Sequence, residues 1–176
     1  MNPPSGNAAS DRLAQWVHDH ARAVRGYLLG WVRKPDVADD LLQEVFRRAW
    51  QAADRYREEG TPRAYLLRIA DRLVIDRARR SGTEQTIDDN TWRAFEPLAE
   101  QSDPSADLTR KETEVALQAA MEELTAPQRR VLLLRYYGDL SFAAIAEETG
   151  MPLGTVLSHC RRGLERLRTL MVNERS

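Results

Sequence analysis

Residues 141–168 read SFAAIAEETGMPLGTVLSHCRRGLERLR, and the periodicity of this stretch predicts two helices joined by a tight turn. In its first half Phe142, Ile145 and Ala146 recur at i, i+3 and i+4 and so share one helical face, while Glu147 and Glu148 point elsewhere. Gly150 tolerates a left-handed C-cap, and Pro152 cannot continue a helix but suits the start of the next, so Gly150, Met151 and Pro152 form the turn. In the second half Val156, Cys160, Leu164 and Leu167 make an apolar stripe. The other faces carry Thr155, Ser158, His159, Arg161, Arg162, Arg166 and Arg168. This is the pattern of a helix-turn-helix, whose second helix can enter the major groove of DNA with polar and basic side chains toward bases and phosphates. An ordinary helical hairpin with a solvated basic face would share the same periodicity.

The chain around this stretch has 176 residues, enough for one medium domain or two small ones. Residues 1–10, MNPPSGNAAS, are polar and rich in Pro, Gly and Ser, which predicts a disordered start with no signal-peptide character. No apolar run approaches the roughly 18 residues that a membrane span needs, so a soluble cytoplasmic protein without membrane insertion is expected. Cys160 is the only cysteine, which excludes an intrachain disulfide and a multi-cysteine zinc site. Its place on the apolar stripe predicts a buried, inert thiol. His18 and His20 lie two apart and do not face each other on a helix, so no metal site is expected there. Ser158 and His159 diverge as helix neighbours, and no phosphate-binding glycine loop or carboxylate–histidine cluster is present. Neither an enzyme nor a bound cofactor is expected.

The net charge of −1 hides a segregation: residues 1–43 sum to 0, 44–80 to +4, 81–125 to −8 and 126–176 to +3. Of the 26 basic residues 24 are arginine, which suits bidentate contacts to phosphates and bases. Two basic regions flanking an acidic middle suggest two separate contacts and a connector that avoids DNA.

From residue 11 to about 33, Leu13, Trp16, Val17, His20, Val24, Tyr27, Leu28 and Trp31 recur on one face of a long first helix. Lys34 and Pro35 break it, and Asp36 is the expected N-cap of a second helix running to about Tyr56. That helix should bury Ala38, Leu41, Leu42, Val45, Phe46, Ala49, Trp50 and Ala53, leaving Asp40, Gln43 and Glu44 as neighbours on its other side. Thr61 and Pro62 open a third helix, in which Tyr65, Leu66, Ile69, Leu73 and Val74 can pack inward while arginines populate the remainder. Residues 11–80 are thus read as a three-helix domain. Residues 81–108 thin in apolar content and gain acids and prolines, which predicts a flexible acidic linker, with Trp92, Phe95 and Leu98 as its apolar exception. Helical periodicity resumes over Thr109 to Leu124. Thr125, Pro127 and Gln128 then signal another helix filled by Val131, Leu132, Leu134 and Tyr136 and stopped by Gly138. Residues 109–176 are read as a second, four-helix domain containing the helix-turn-helix. The expected fold is all-α: two small helical domains joined by an acidic linker.

Three stretches in this order carry a family resemblance: DDLLQEVFRRAW at 39–50, YLLRIADRLVIDRARR at 65–80, and LTAPQRRVLLLRYYGDLSFAAIAEETGMPLGTVLSHCRRGLERLR from 124 to 168. With an acidic linker between them, they resemble bacterial sigma factors of the extracytoplasmic-function (ECF) type, regions 2 and 4. The resemblance implies that Asp40, Gln43 and Glu44 bind the coiled-coil clamp of the largest subunit of RNA polymerase core, through charge-assisted hydrogen bonds from clamp arginines. It implies a contact of region 4 with the flap of the second subunit. The loop from Tyr56 to Thr61, with Arg57 and the nearby Arg63, Arg68 and Arg72, matches the part that captures a flipped base of the minus-ten element and holds the strands apart. Thr155, Ser158, His159, Arg161 and Arg162 match the residues that read the minus-thirty-five element. The linker would pass through nucleic-acid channels of the polymerase, its carboxylates mimicking phosphates. A monomer when free, and an anti-sigma protein as a further partner, belong to the same set of expectations.

The chain also departs from the family's pattern. Pro62 and Tyr65 stand where the family commonly has Phe and Trp, so the base pocket is expected to differ. Leu157 and His159 stand where arginine or lysine is common, which predicts a weaker phosphate contribution and a different base preference. A dimeric helix-turn-helix regulator of duplex DNA is the alternative, and it has no use for the acidic patch or the acidic connector.

Overall fold

The computed structural model describes residues 6–52, 61–81, 116–117 and 119–173, and every regular element among them is an α-helix. These are α1 (Gly6–Val32), α2 (Pro35–Gln51), α3 (Pro62–Ser81), α4 (Ala126–Tyr136), α5 (Phe142–Thr149) and α6 (Leu153–Asn173). Residues 116–117 and 119–122 are helical ahead of α4. The chain divides into two compact units, one built on α1–α3 and the other on α4–α6. The acidic stretch 82–115, with Trp92, Phe95 and Leu98, lies outside the described residues, as do residues 1–5 and the expected end of the second helix from 53 to 56.

In the first unit, each of α1, α2 and α3 packs on the other two. α1 begins at Gly6 rather than at 11, so half of the segment expected to be disordered is helical. Ala8 and Ala9 favour that extension, because adding residues to an existing helix avoids the cost of nucleating one. Arg33, in the left-handed region at φ 57°, ends α1. The N-cap of α2 is Lys34, in an extended conformation without a side-chain cap, so the expected cap Asp36 sits in the first turn instead. Pro35 is the reason: its fixed φ and missing N–H suit the first helical position, which starts the helix earlier than Asp36 would. Thr61 caps α3 as expected, its Oγ1 accepting from the Ala64 N–H at 3.2 Å.

Trp16, Val24, Tyr27, Leu28, Trp31, Ala38, Val45, Phe46, Ala49, Leu66, Leu73 and Val74 form the expected part of this core. Two expected members are exposed, Val17 at 40% and Trp50 at 44%. At about 100° per residue, Trp50 lies roughly 100° from the centre of the buried face of α2, at an edge no neighbour covers. Leu29, Leu67 and Ala70 are buried without having been expected, because both other helices enclose these segments. The least expected core residue is Asp71, fully buried on α3, whose Oδ1 accepts a hydrogen bond from the Tyr27 hydroxyl at 2.6 Å. Arg25 and Asp39, at 2.6 Å, add a partly exposed bridge between α1 and α2.

In the second unit, α4, α5 and α6 pack on one another. The Thr125 N–H donates to Gln128 Oε1 at 3.1 Å, the backward half of a capping box at the start of α4. Ser141 caps α5 by accepting from Ala144, and Gly150 ends it at φ 70°, the left-handed cap expected of the turn. Val131, Leu132, Leu134, Ile145, Val156, Cys160 and Leu167 are buried as expected, joined by Leu133 and Leu140. Tyr136 and Leu164 are not: they are 61% and 40% exposed. The buried face of α6 instead includes Gly163, where an added Cβ would lie 3.0 Å from Leu132 Cδ1. The absence of a side chain lets α6 approach α4 closely there, and turns Leu164 outward. Burial pushes the Cys160 thiol above its ordinary value, with Arg135 opposing, in keeping with an inert group. Arg129, 6% exposed, donates through Nε to the Met121 carbonyl and through Nη2 to the Glu122 carbonyl, both at 3.0 Å. It thereby satisfies carbonyls that a helix end leaves open.

Tyr27→Phe removes only the hydroxyl that meets the buried Asp71 carboxyl. It should lower the stability of the first unit by about 1–3 kcal/mol. Urea unfolding followed by tryptophan fluorescence measures this, since Trp16, Trp31 and Trp50 all lie on α1 and α2.

Candidate functional site

On α2 the buried residues Ala38, Val45 and Ala49 set one face, and Asp40, Gln43 and Glu44 fall on the opposite one, within a single turn of each other. Asp40 and Gln43 are exposed and Glu44 is half-buried. Glu44 is held by two arginines of the same helix: Arg47 donates to both carboxylate oxygens, at 2.6 and 2.7 Å, and Arg48 to one at 2.7 Å. Their spacing of three and four from Glu44 was the signal available for these pairs. Hydrogen bonds from Arg47 and then Arg48 draw the Glu44 carboxyl down to about 2. The patch therefore presents one carboxylate already ordered within the helix, beside Asp40 and the Gln43 amide.

On α3 the expected residues separate. Thr61, Arg68 and Arg72 lie on the face opposite Leu66, Ala70 and Leu73, and Arg68 and Arg72 are one turn apart. Arg63 lies on the other side and is half-buried. Its charge is felt by His20 on α1, whose pKa is lowered mainly by burial, with Arg63 adding to that and Asp19 opposing it. Tyr65 packs edge-on against Trp16 of α1, with centroids 6.0 Å apart at 62°, and burial raises the pKa of its phenol. Tyr56 and Arg57 lie outside the described residues.

On α6 the helix backs onto the unit through Val156, Cys160, Gly163 and Leu167. Arg161 and Arg162 are exposed, while Thr155, Ser158 and His159 are half-buried. His159 turns inward more than its spacing suggested: Nδ1 is buried without a hydrogen-bond partner, so one edge of the ring is withdrawn from the surface. Gly154 and Leu157 are more exposed than Thr155 and His159. The outer surface of α6 is thus centred on Gly154, Leu157, Ser158, Arg161 and Arg162. Arg161 meets Glu165 at 3.2 Å with both side chains mostly exposed, a contact weak enough to exchange for a phosphate. Among the described residues no group of His, Cys, Asp and Glu could hold a metal ion, and no helix is long and apolar enough to cross a membrane.

The pairing of Glu44 has a measurable consequence. With its folded pKa depressed, the carboxylate stays charged where an unpaired glutamate would take a proton, and the pair is lost only as pH falls toward about 2. Carbon-detected NMR titration should give Glu44 this low midpoint, and Arg47→Ala with Arg48→Ala should return it toward the ordinary carboxylate range.

Comparison with known proteins accounts for both units. Sigma-70 region 2 matches residues 16–84, and Sigma-70 region 4 matches residues 114–167. The chain is 31% identical over 167 residues to the ECF RNA polymerase sigma factor SigL of Mycobacterium tuberculosis, covering 93% of this chain and 92% of that one. It is 25% identical over 162 residues to the RNA polymerase sigma factor SigV of Bacillus subtilis, covering 92% of each. Its fold resembles that of the sigma factor RpoE of Bartonella quintana, solved with the anti-sigma factor NepR, with a TM-score of 0.72 at 23% identity over 92% of this chain and 97% of that one. These likenesses favour a sigma factor over a dimeric helix-turn-helix regulator, and the chain belongs to the ECF sigma factors of RNA polymerase, with the regions 2 and 4 of that family.

Proposed function

We propose that this sigma factor engages polymerase and promoter through the three outer faces described, one on each of α2, α3 and α6. Asp40, Gln43 and Glu44 receive arginines of the polymerase clamp. The observation that carries this assignment is their clustering on the face of α2 turned away from the core. Glu44 enters the contact already charged and oriented, so less freedom is lost when the complex forms.

Arg68 and Arg72, with Thr61 and the preceding Tyr56 and Arg57, form the minus-ten surface. Two arginines one turn apart match the spacing of a phosphate backbone that must be followed while a base is extruded. Arg63, half-buried on the other side of α3, acts through the packing against α1 rather than as a direct ligand of the strand. Tyr65 is engaged with Trp16, so it forms the wall of any base pocket and not its lid.

Arg161 and Arg162 supply phosphate contacts for the minus-thirty-five element, with Ser158 at base edges and Thr155 and His159 at the margins. The second unit also meets the polymerase flap. The protein works in the bacterial cytoplasm, free as a monomer, and does no chemistry of its own. An anti-sigma protein is a fitting regulator, since the fold relatives RpoE and CnrH were both solved with anti-sigma or cytosolic partner domains.

Charge reversal at Asp40 and Glu44 should abolish binding to core polymerase in a pull-down while leaving the helical content measured by circular dichroism unchanged. Undiminished holoenzyme formation would count against the α2 interface. Arg161→Ala with Arg162→Ala should weaken promoter binding by the holoenzyme and reduce the slope of log affinity against log salt by about one to two. An unaltered slope would mean that these arginines only face solvent.

A further inference from the structure

Leu157 is the fifth residue of α6 and is 45% exposed, and Leu153, one turn before it, is 47% exposed. Leu157 lies one turn before the exposed Arg161 on the same side of α6. Residues at the start of a recognition helix are the ones that meet base edges, and Leu157 stands about 6 Å along the axis from the helix start. A surface that closes on DNA there must desolvate Leu157. Of the groups that base edges offer in the major groove, the C5 methyl of thymine is the apolar one.

We propose that Leu157 is a specificity-determining residue of this sigma factor, reading a thymine methyl in the upstream promoter element, with Leu153 extending the apolar surface. The proposal rests on the assignment of α6 to that element. Charge complementarity selects DNA as the occupant: Arg161 and Arg162 are both exposed on the adjoining surface, and Glu165, which Arg161 meets, is held by no more than an exposed pair. Leu164 takes no part, because at seven residues further it lies about 10 Å along the helix, beyond the same base edge. The inward turn of His159 agrees with a reading surface shifted toward the Leu157 flank. Leucine in place of an arginine or lysine exchanges a phosphate or guanine contact for a methyl contact, and so changes which base is preferred.

The test uses the full chain assembled with core polymerase. Tight-binding duplexes are selected from a randomised pool, and each thymine of the upstream element is replaced in turn by deoxyuridine, which removes the methyl and nothing else. Affinities are compared at one salt concentration. For the native holoenzyme, one or two replacements should weaken binding by about fourfold, the effect of exposing one buried methyl group. Leu157→Ala should bind the thymine and deoxyuridine duplexes equally while keeping the salt dependence of the native protein. Insensitivity at every thymine, or a Leu157→Ala protein that keeps its full methyl sensitivity, would overturn the proposal while leaving the assignment of α6 intact. Loss of core binding by Leu157→Ala would also overturn it, by making this leucine a protein contact. Failure of the native holoenzyme to select any upstream sequence would overturn the assignment of α6 itself, and this proposal with it.

Discussion

A charged side chain buried in a small helical unit is tolerated only where its polar atoms find partners, and each unit of this sigma factor contains one such residue among its described core. In the first, Asp71 is fully buried and takes the Tyr27 hydroxyl, which fixes α3 against α1 in one register. Apolar residues around them could slide by a turn and stay buried, but a carboxyl that loses its donor cannot. In the second, the Arg129 guanidinium joins α4 to the end of the preceding helix through the carbonyls of Met121 and Glu122. A cation at a helix C-terminus is favoured by the helix dipole as well as by these hydrogen bonds. The proposed contact faces depend on these registers, since a helix that rotated about its axis would turn their residues inward.

The exposed faces share one design. A helix backed by small and branched side chains leaves its opposite side open, and the chemistry of the proposed partner follows from the residues left there. On α2 these are Asp40, Gln43 and Glu44, with Glu44 ordered by Arg47 and Arg48 before any partner arrives. On α3 they are the half-buried Arg68 and the exposed Arg72, and on α6 Arg161, Arg162 and Leu157. Region 2 offers both signs of charge on separate helices. One small unit can then hold a protein partner with one helix and nucleic acid with another.

Much of this was legible in the residues. Gly150 and Pro152 marked the turn because such positions demand particular backbone conformations, which only a few residue types supply. The outward set on α2 followed from i, i+3 and i+4 spacing alone. The errors fall at face edges: Val17, Trp50, Tyr136 and Leu164 share the periodicity of buried neighbours yet are exposed. Periodicity assigns a direction around each helix but not how far the neighbouring helices wrap around it. The same gap hid Gly163, whose value lies in what it lacks, and the inward turn of His159.

By itself the sequence determined the helices, their breaks, their polarity and the family, because those depend on local propensity, spacing and the order of motifs. It did not reveal that Asp71 is buried against Tyr27. Nor did it show that Leu157 is exposed on α6 while one edge of the His159 ring is withdrawn from the surface. Only tertiary packing decided these, since burial is a property of what surrounds a side chain, and neighbours distant in sequence supply those surroundings.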